Sequence, residues 1–335
     1  MEKTLRRWWP LTILALAIWV VGSQANAQTP GLSIHLNAGY PSLSITGTVT
    51  SCYAVQYVGN LSRTNHWQLL TNLVLAANPC VLADTNVPDG GQRFYRTMLT
   101  NINIRVAVFS DPNGGSTDSG CVSSTVSILS TNSGITVSTI SPASVIAGGL
   151  SNYDVVMFPG GSGTLEAEAI GQTGCANVAQ FVAKGGGYIG TCAGAYLGVL
   201  KYNPSISYWL GIVNAQIIDY AHWARGEGTA EVRLVNTNNV ILAGFGQYIY
   251  AHYDNGPLLE PGGSTGLPVY EQDAVYVSDI YGGDGSVAGV MPGTTAMTTS
   301  TYQSGKCVLF SFHPELTPGL EQLDVRAVKW SAGRL

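Results

Sequence analysis

The sequence predicts an α/β protein built on a doubly wound, mostly parallel sheet, preceded by a small all-β sandwich module. Two nearly continuous apolar runs, Ile104-Arg105-Val106-Ala107-Val108-Phe109 and Tyr153-Asp154-Val155-Val156-Met157-Phe158, suit strands covered on both faces. Helix-period segments separate such runs, which is the cadence of βαβ units. Ahead of residue 100 the pattern is alternation and turns instead.

The amino end reads as a leader. Lys3, Arg6 and Arg7 precede an apolar run from Leu11 to Val21, and Ala25-Asn26-Ala27 follows as a small-residue cleavage site. These features predict a cleaved export signal over residues 1–27, of the Sec type because Trp8-Trp9-Pro10 fits a twin-arginine signal poorly. The mature protein is then expected to be secreted or periplasmic. No Cys stands at the cleavage point and no later apolar run reaches spanning length, so no membrane anchor is expected after cleavage.

Residues 30–99 form the β module. Tyr53, Val55 and Tyr57 alternate with Ala54, Gln56 and Val58, and Trp67-Gln68-Leu69-Leu70, Leu73-Val74-Leu75 and Arg93-Phe94-Tyr95-Arg96 supply further strands. This cadence resembles the fibronectin type III-like modules of exported bacterial proteins.

Residues 103–331 form the second domain. A helix is expected near Ser119 to Ser130 and a short strand from Ile135 to Ile140. Val178, Phe181 and Val182 mark a helix that Gly185 stops, and Gly187 to Thr191 is the next strand. After Val199 the periodicity blurs into Gly-, Asn- and Tyr-rich segments, read as short strands and loops beside the active site. Cys307 to Phe312 is a strand. The final helix is expected to start with Thr317 as N-cap and Pro318 at the first helical position, turning Leu320, Leu323, Ala327 and Val328 inward.

Composition narrows the partners. The chain holds 15 Lys plus Arg against 20 Asp plus Glu and no basic stripe, which excludes nucleic acid as a partner. Only 10% of residues are charged and 41 are Gly, the composition of an exported, turn-rich globular protein. Six Cys are compatible with three bridges, or with two bridges and two free thiols. We favour the second, with Cys52–Cys80 and Cys121–Cys175 as the bridges and Cys307 buried in its strand.

The chemistry centres on Gly190-Thr191-Cys192-Ala193-Gly194 and Ser311-Phe312-His313-Pro314-Glu315. A nucleophile held on a tight strand-to-helix turn needs small residues two before and two after it, here Gly190 and Gly194. The helix that follows favours thiolate at its start. His313 precedes a proline and is biased to an extended backbone, so Glu315 points the same way and orients the imidazole as a base for the thiol. Phe158-Pro159-Gly160-Gly161 offers bare backbone to an oxyanion, together with the N–H of Ala193. Gly185-Gly186-Gly187-Tyr188-Ile189-Gly190 matches GxGxxG, but its glycines close a helix and enter a strand, the reverse of a dinucleotide site. His35, His66, His222 and His252 lack metal-binding spacing, so neither a metal nor a cofactor is expected. His222-Trp223 and His252-Tyr253 could line a pocket, with ordinary packing the favoured role for each.

These motifs, with Tyr253-Asp254-Asn255-Gly256-Pro257, resemble the class I glutamine amidotransferase-like superfamily, and within it the amino-terminal domain of some biotin–protein ligases. The resemblance spans residues 103–331. It implies a flavodoxin-like sheet, a Cys192–His313–Glu315 triad, and a substrate or oxyanion set of Gly160, Gly161, Ala193, Tyr196, Tyr253 and Asn255. Glutamine-using relatives carry Gln two residues after the second elbow glycine, where this chain has Tyr196. The expected activity is thiol-dependent hydrolysis of an amide or related acyl bond in a small molecule or peptide. The alternative is a binding or scaffold module that keeps the fold without turnover, with a redox or chaperone role as a third option. The sequence names no protein partner.

Overall fold

A computed structural model describes residues 30–335, apart from 38, 50, 62–66, 88–91, 101–102, 202–204 and 284. The expected signal at 1–27 lies outside the described residues, as does His66. The chain divides into two compact units, Met1–Ile102 and Asn103–Leu335.

The first unit contains β1 (Gly31–Asn37), β2 (Tyr40–Thr46), β3 (Cys52–Val58), β4 (Gln68–Val74), β5 (Cys80–Ala83) and β6 (Phe94–Leu99). They form two antiparallel three-stranded sheets, ordered β1-β2-β5 and β4-β3-β6. Alternation decides which side is covered. Leu43 and Ile45 of one sheet and Tyr53, Val55 and Tyr95 of the other share one buried apolar cluster. Asp84 is nearly inaccessible, and it is partnered by the Arg93 guanidinium and by the Tyr95 hydroxyl at 2.8 Å.

The second unit opens with β7 (Ile104–Phe109), α1 (Ser119–Ser130) and β8 (Ile135–Ile140), followed by α2 (Pro142–Ile146), β9 (Val155–Phe158), α3 (Gly163–Ala183) and β10 (Gly187–Thr191). Asp118 caps α1 by accepting from the backbone N–H groups of Gly120 and Cys121. A short α4 (Ala193–Gly198) comes next, then β11 (Ala215–Ile218), β12 (Glu227–Leu234), β13 (Tyr248–Asp254), β14 (Leu258–Pro261), β15 (Glu271–Tyr276), β16 (Thr295–Tyr302), β17 (Gly305–Phe310) and α5 (Glu321–Ser331).

Five strands, ordered β8-β7-β9-β10-β17, run parallel. Residues on α1 and α5 pack in the apolar cluster on one face, and residues on α2, α3 and α4 in the cluster on the other. That is the doubly wound arrangement. Beyond β17 the sheet turns antiparallel through β16, β15, β12 and β13, with β11 and β14 beside them. This wing comes from the region where the sequence periodicity blurs.

Two expectations are corrected. All six cysteines are free thiols. Cys175 belongs to the cluster on the α3 face, whereas α1, which carries Cys121, packs in the opposite cluster, so the sheet stands between them. Cys80, opposite Ile45, packs against the apolar cluster of the first unit, whereas Cys52 precedes inward-facing Tyr53 on its strand and faces the other way. Thr317 does not cap the last helix either. Its hydroxyl donates to the His313 carbonyl at 2.6 Å and accepts from the His252 N–H at 3.0 Å, and α5 starts at Glu321 after Gly319 turns with φ 90.

Because the sheet separates Cys121 from Cys175, peptide mapping after denaturation without reductant is expected to recover both as free thiols. Recovery of a Cys121–Cys175 peptide pair would contradict the helix placement.

Candidate active site

The position of Cys192 is a product of backbone packing. β10 is fully buried and ends directly in Cys192, whose backbone lies at φ 50, ψ −98 before α4 begins. A non-glycine residue there is strained by about 1–3 kcal/mol, and such strain persists only where the surroundings over-determine it. They do so here. A Cβ on Gly190 would collide with the carbonyl of Gly194, and one on Gly194 with the carbonyl of Phe158. The Cys192 N–H donates to the Phe310 carbonyl at 2.8 Å, and the buried Tyr188 hydroxyl donates to the Gly194 carbonyl at 2.7 Å.

His313 arrives three residues beyond the end of β17. Its N–H donates to the His252 carbonyl at 2.9 Å, and Pro314 opens a single 3₁₀ turn that carries Glu315. Glu315 Oε1 sits 2.8 Å from His313 Nδ1 in a buried pair. The Cys121 thiol stands 3.7 Å from the same nitrogen. His313 Nε2 has no hydrogen-bond partner among the described residues. Burial opposes a charge on His313, but the neighbouring sulfurs of Cys192 and Cys121 and the Glu315 carboxylate outweigh it, holding the imidazole well above its usual range. The Cys192 thiol itself donates to the Asp254 carbonyl at 3.3 Å.

These groups open on a cleft of about 540 Å³ lined by Gly161, Cys192, Tyr196, Tyr220, Trp223 and His313, among others, a volume suited to a small ligand. The Tyr196 hydroxyl donates to the Asn255 carbonyl at 3.0 Å. Asn255, at φ 52, ties the rim to Gly226 by accepting from its N–H at 2.7 Å. Gly160 packs against the His313 ring and the Cys121 sulfur. Tyr253 is placed elsewhere. It is fully buried, with its hydroxyl donating to the Gly256 carbonyl at 2.8 Å, and it does not line the cleft.

The structure also places residues for which packing was the favoured reading. Trp223 and His252 line the cleft, and the rings of His252 and His313 lie 5.5 Å apart. Arg225 is buried and fixes the rim. Its guanidinium donates to Asp219 at 2.6 Å, to Asp279 at 3.3 Å and to the Val287 carbonyl at 2.7 Å, holding the turn that bears Tyr220 and Trp223. Two carboxyls have no sequence motif at all. Glu166 and Asp324 are fully buried, and none of their carboxylate oxygens has a hydrogen-bond partner among the described residues. Burial pushes both well above the carboxylate range, reinforced by the charge of Cys192 on Glu166 and of Glu315 on Asp324. Burial thus favours the neutral form of both.

The family model for the amino-terminal domain of biotin–protein ligases matches residues 104–213. That span includes Cys121, Gly160, Gly161 and Cys192 and ends before His313. Among solved structures, similar chains include a glutamine amidotransferase, 17% identical, covering 68% of this chain and 98% of that one at a TM-score of 0.46. PurLQS from Thermotoga maritima is 16% identical, covering 69% and 97% at 0.44. A beta-galactosidase from Bacillus circulans sp. alkalophilus is 15% identical, covering 69% of this chain but 31% of its own at 0.43. No curated protein matches the sequence. Over residues 104–213, which carry the first strands of the doubly wound sheet and the cysteine turn, the chain is similar to the amino-terminal domain of biotin–protein ligases.

The neutral carboxyls set a pH dependence of stability. Their folded-state values are raised, so the unfolded chain loses those protons near its ordinary values of about 4. The contribution of these two groups is therefore fullest below about pH 4 and is lost as pH rises above it. Glu166→Gln and Asp324→Asn are expected to raise Tm at about pH 8 and leave it little changed at about pH 4. Each kcal/mol gained is worth about 2–4 °C in a domain of this size. Thermal melts across that range would contradict the assignment if the variants and the parent lost stability in parallel.

Arg225→Ala strands Asp219 and Asp279 at the rim, and the loss of one partner from a buried ion pair costs about 3–5 kcal/mol. Denaturant unfolding is expected to show a loss of that order, and a change below about 1 kcal/mol would mean the knot is not structural.

Proposed function

We propose that the protein is an exported thiol-dependent hydrolase of an amide or related acyl bond, acting through Cys192, His313 and Glu315. The reading is carried by one observation. A cysteine on a strained strand-to-helix turn and a buried His–Glu pair at 2.8 Å meet at the same cleft, with the base's Nε2 unengaged.

In this mechanism Cys192 attacks the carbonyl carbon as thiolate, and the carbonyl oxygen takes up negative charge. The N–H groups of Ala193 and Gly161 stabilise that oxyanion. His313 gives its Nε2 proton to the leaving amine, whose bond to carbon breaks, leaving a thioester on Cys192. Water then gives a proton to Nε2 and attacks the thioester, whose C–S bond breaks to release the acid and the Cys192 thiolate, restoring the starting ion pair. Glu315 keeps the Nδ1 proton in place, so that Nε2 is the nitrogen that exchanges protons. Tyr196 occupies the place where glutamine-using relatives carry Gln, so the substrate is another small-molecule or peptide amide. Tyr196, Asn255 and Trp223 shape its site. The first unit is a fibronectin type III-like module, and residues 1–27 are the export signal that delivers both units to the secreted or periplasmic space.

The test is an amide and thioester substrate screen coupled to labelling by iodoacetamide. Cys192→Ser is expected to abolish turnover, and His313→Ala to lower it roughly 10²–10⁴-fold, the worth of a positioned general base. Glu315→Gln should lower turnover while preserving the cleft. Labelling of Cys192 should slow with His313→Ala. A Cys192 thiol whose labelling ignores His313, in a protein without turnover, would leave the scaffold reading, which the thiol's hydrogen bond to Asp254 favours.

A further inference from the structure

Cys121 is a thiol at the site that the proposed hydrolysis leaves without a task. It lies in the first turn of α1, 192 residues from His313 in sequence, with its sulfur 3.7 Å from the Nδ1 that Glu315 also holds. The sulfur of Cys121, a ring nitrogen of His313 and a carboxylate oxygen of Glu315 all lie within 4.8 Å of one another. The three residues are 3%, 3% and 6% exposed. The second oxygen of Glu315 has no hydrogen-bond partner among the described residues. Gly160 makes room for the trio, since a Cβ there would lie 2.6 Å from His313 Cε1 and 2.7 Å from the Cys121 sulfur.

These distances suit a tetrahedral metal. Zinc sits about 2.3 Å from thiolate and about 2.0–2.1 Å from imidazole, which at a tetrahedral angle puts sulfur and nitrogen about 3.6 Å apart. The Nδ1–Oε1 separation of 2.8 Å is that of a hydrogen bond. It must open to about 3.3 Å when a metal replaces the proton between the two atoms. Thiolate, imidazole and carboxylate together select zinc-like ions over magnesium or calcium. Cys121 and His313 both line the cleft, so an ion can enter from it and a water can complete the coordination.

We propose that Cys121, His313 Nδ1 and Glu315 form a binding site for a soft divalent metal of the zinc class, and that its occupancy silences Cys192. Binding displaces the thiol proton of Cys121 and the Nδ1 proton of His313 to water. The ring then keeps a proton on Nε2 while Nδ1 is held by the metal, so it no longer accepts a proton for the thiol chemistry. The silencing rests on the hydrolase reading, and the metal site does not.

Cobalt titration of the full-length protein tests the site by the thiolate-to-cobalt charge-transfer absorption, with zinc uptake measured by equilibrium dialysis. One equivalent is expected. Cys121→Ser and Cys121→Ala should weaken uptake about tenfold or more and remove the absorption, while Cys192→Ser should keep both. Circular dichroism checks that each variant is folded. No charge-transfer band in the parent, undiminished uptake by the Cys121 variants, or loss of the band in Cys192→Ser would each overturn the site. Zinc is expected to slow iodoacetamide labelling of Cys192 in the parent and not in Cys121→Ser. Labelling that ignores bound zinc overturns the silencing alone, and labelling that ignores His313→Ala overturns the triad.

Discussion

Everything at the site depends on backbone lying directly on backbone at the end of β10. Gly190 rests on the carbonyl of Gly194 and Gly194 on that of Phe158, with no side chain between them. This contact joins three neighbouring parallel strands at one level. In register, Gly190 faces Phe158 on β9 and Leu309 on β17, and Thr191 faces Phe310. The Cys192 N–H, donating to the Phe310 carbonyl, extends that ladder by one rung. A cysteine at φ 50 is the outcome, because the chain must leave the strand sharply to begin α4. The loop after β9 and His313 after β17 leave the sheet at the same level. The site is therefore set by strand register, with little demand on any single side-chain contact.

Electrostatics at the site follow from what burial does to acids. Four titratable groups, Glu166, His313, Glu315 and Asp324, lie within a few residues' reach of Cys192 or of one another, all inaccessible or nearly so. If every carboxyl carried charge, repulsion would scatter the cluster. Burial instead keeps Glu166 and Asp324 protonated, and the imidazole is left with Glu315 as its hydrogen-bonded carboxylate partner. The price is two carboxyls without hydrogen-bond partners, a cost that proteins tolerate most often around functional sites.

How legible this was in the sequence differs by element, for physical reasons. The strand Ile104–Phe109 and the helix Ser119–Ser130 were readable because local pattern and an Asp118 cap specify them without help from the rest of the fold. The elbow and His313-Pro314-Glu315 were readable because tight turns restrict residue type. The antiparallel wing from β11 to β16 was not, since its strands take their register from one another rather than from a period in the chain. Thr317 misled because its hydroxyl, a good helix cap by type, is drawn to His313 and His252 instead. Glu166, in the first turn of α3, belongs to no sequence motif. Cys121 read as half of a bridge. Their meaning lies wholly in which face of the sheet each helix covers.

Cys121 also shows how orienting a base constrains a protein. Glu315 fixes the imidazole by holding Nδ1, and the same hold leaves a carboxylate, a ring nitrogen and a sulfur converging within a few ångströms. A proton and a metal ion then compete for one nitrogen. Burial weights that contest toward the proton. It pushes the Cys121 thiol up to about 11 against the lowering effect of its hydrogen bond with His313, so the sulfur remains neutral until a cation takes its proton. A thiol held in that state neither repels Glu315 nor rivals Cys192 as a nucleophile, since the thiolate is the reactive form. The chemistry of the cleft thus turns on the occupant of a single ring nitrogen, which α1 and the turn after β17 approach from opposite ends of the domain's sequence.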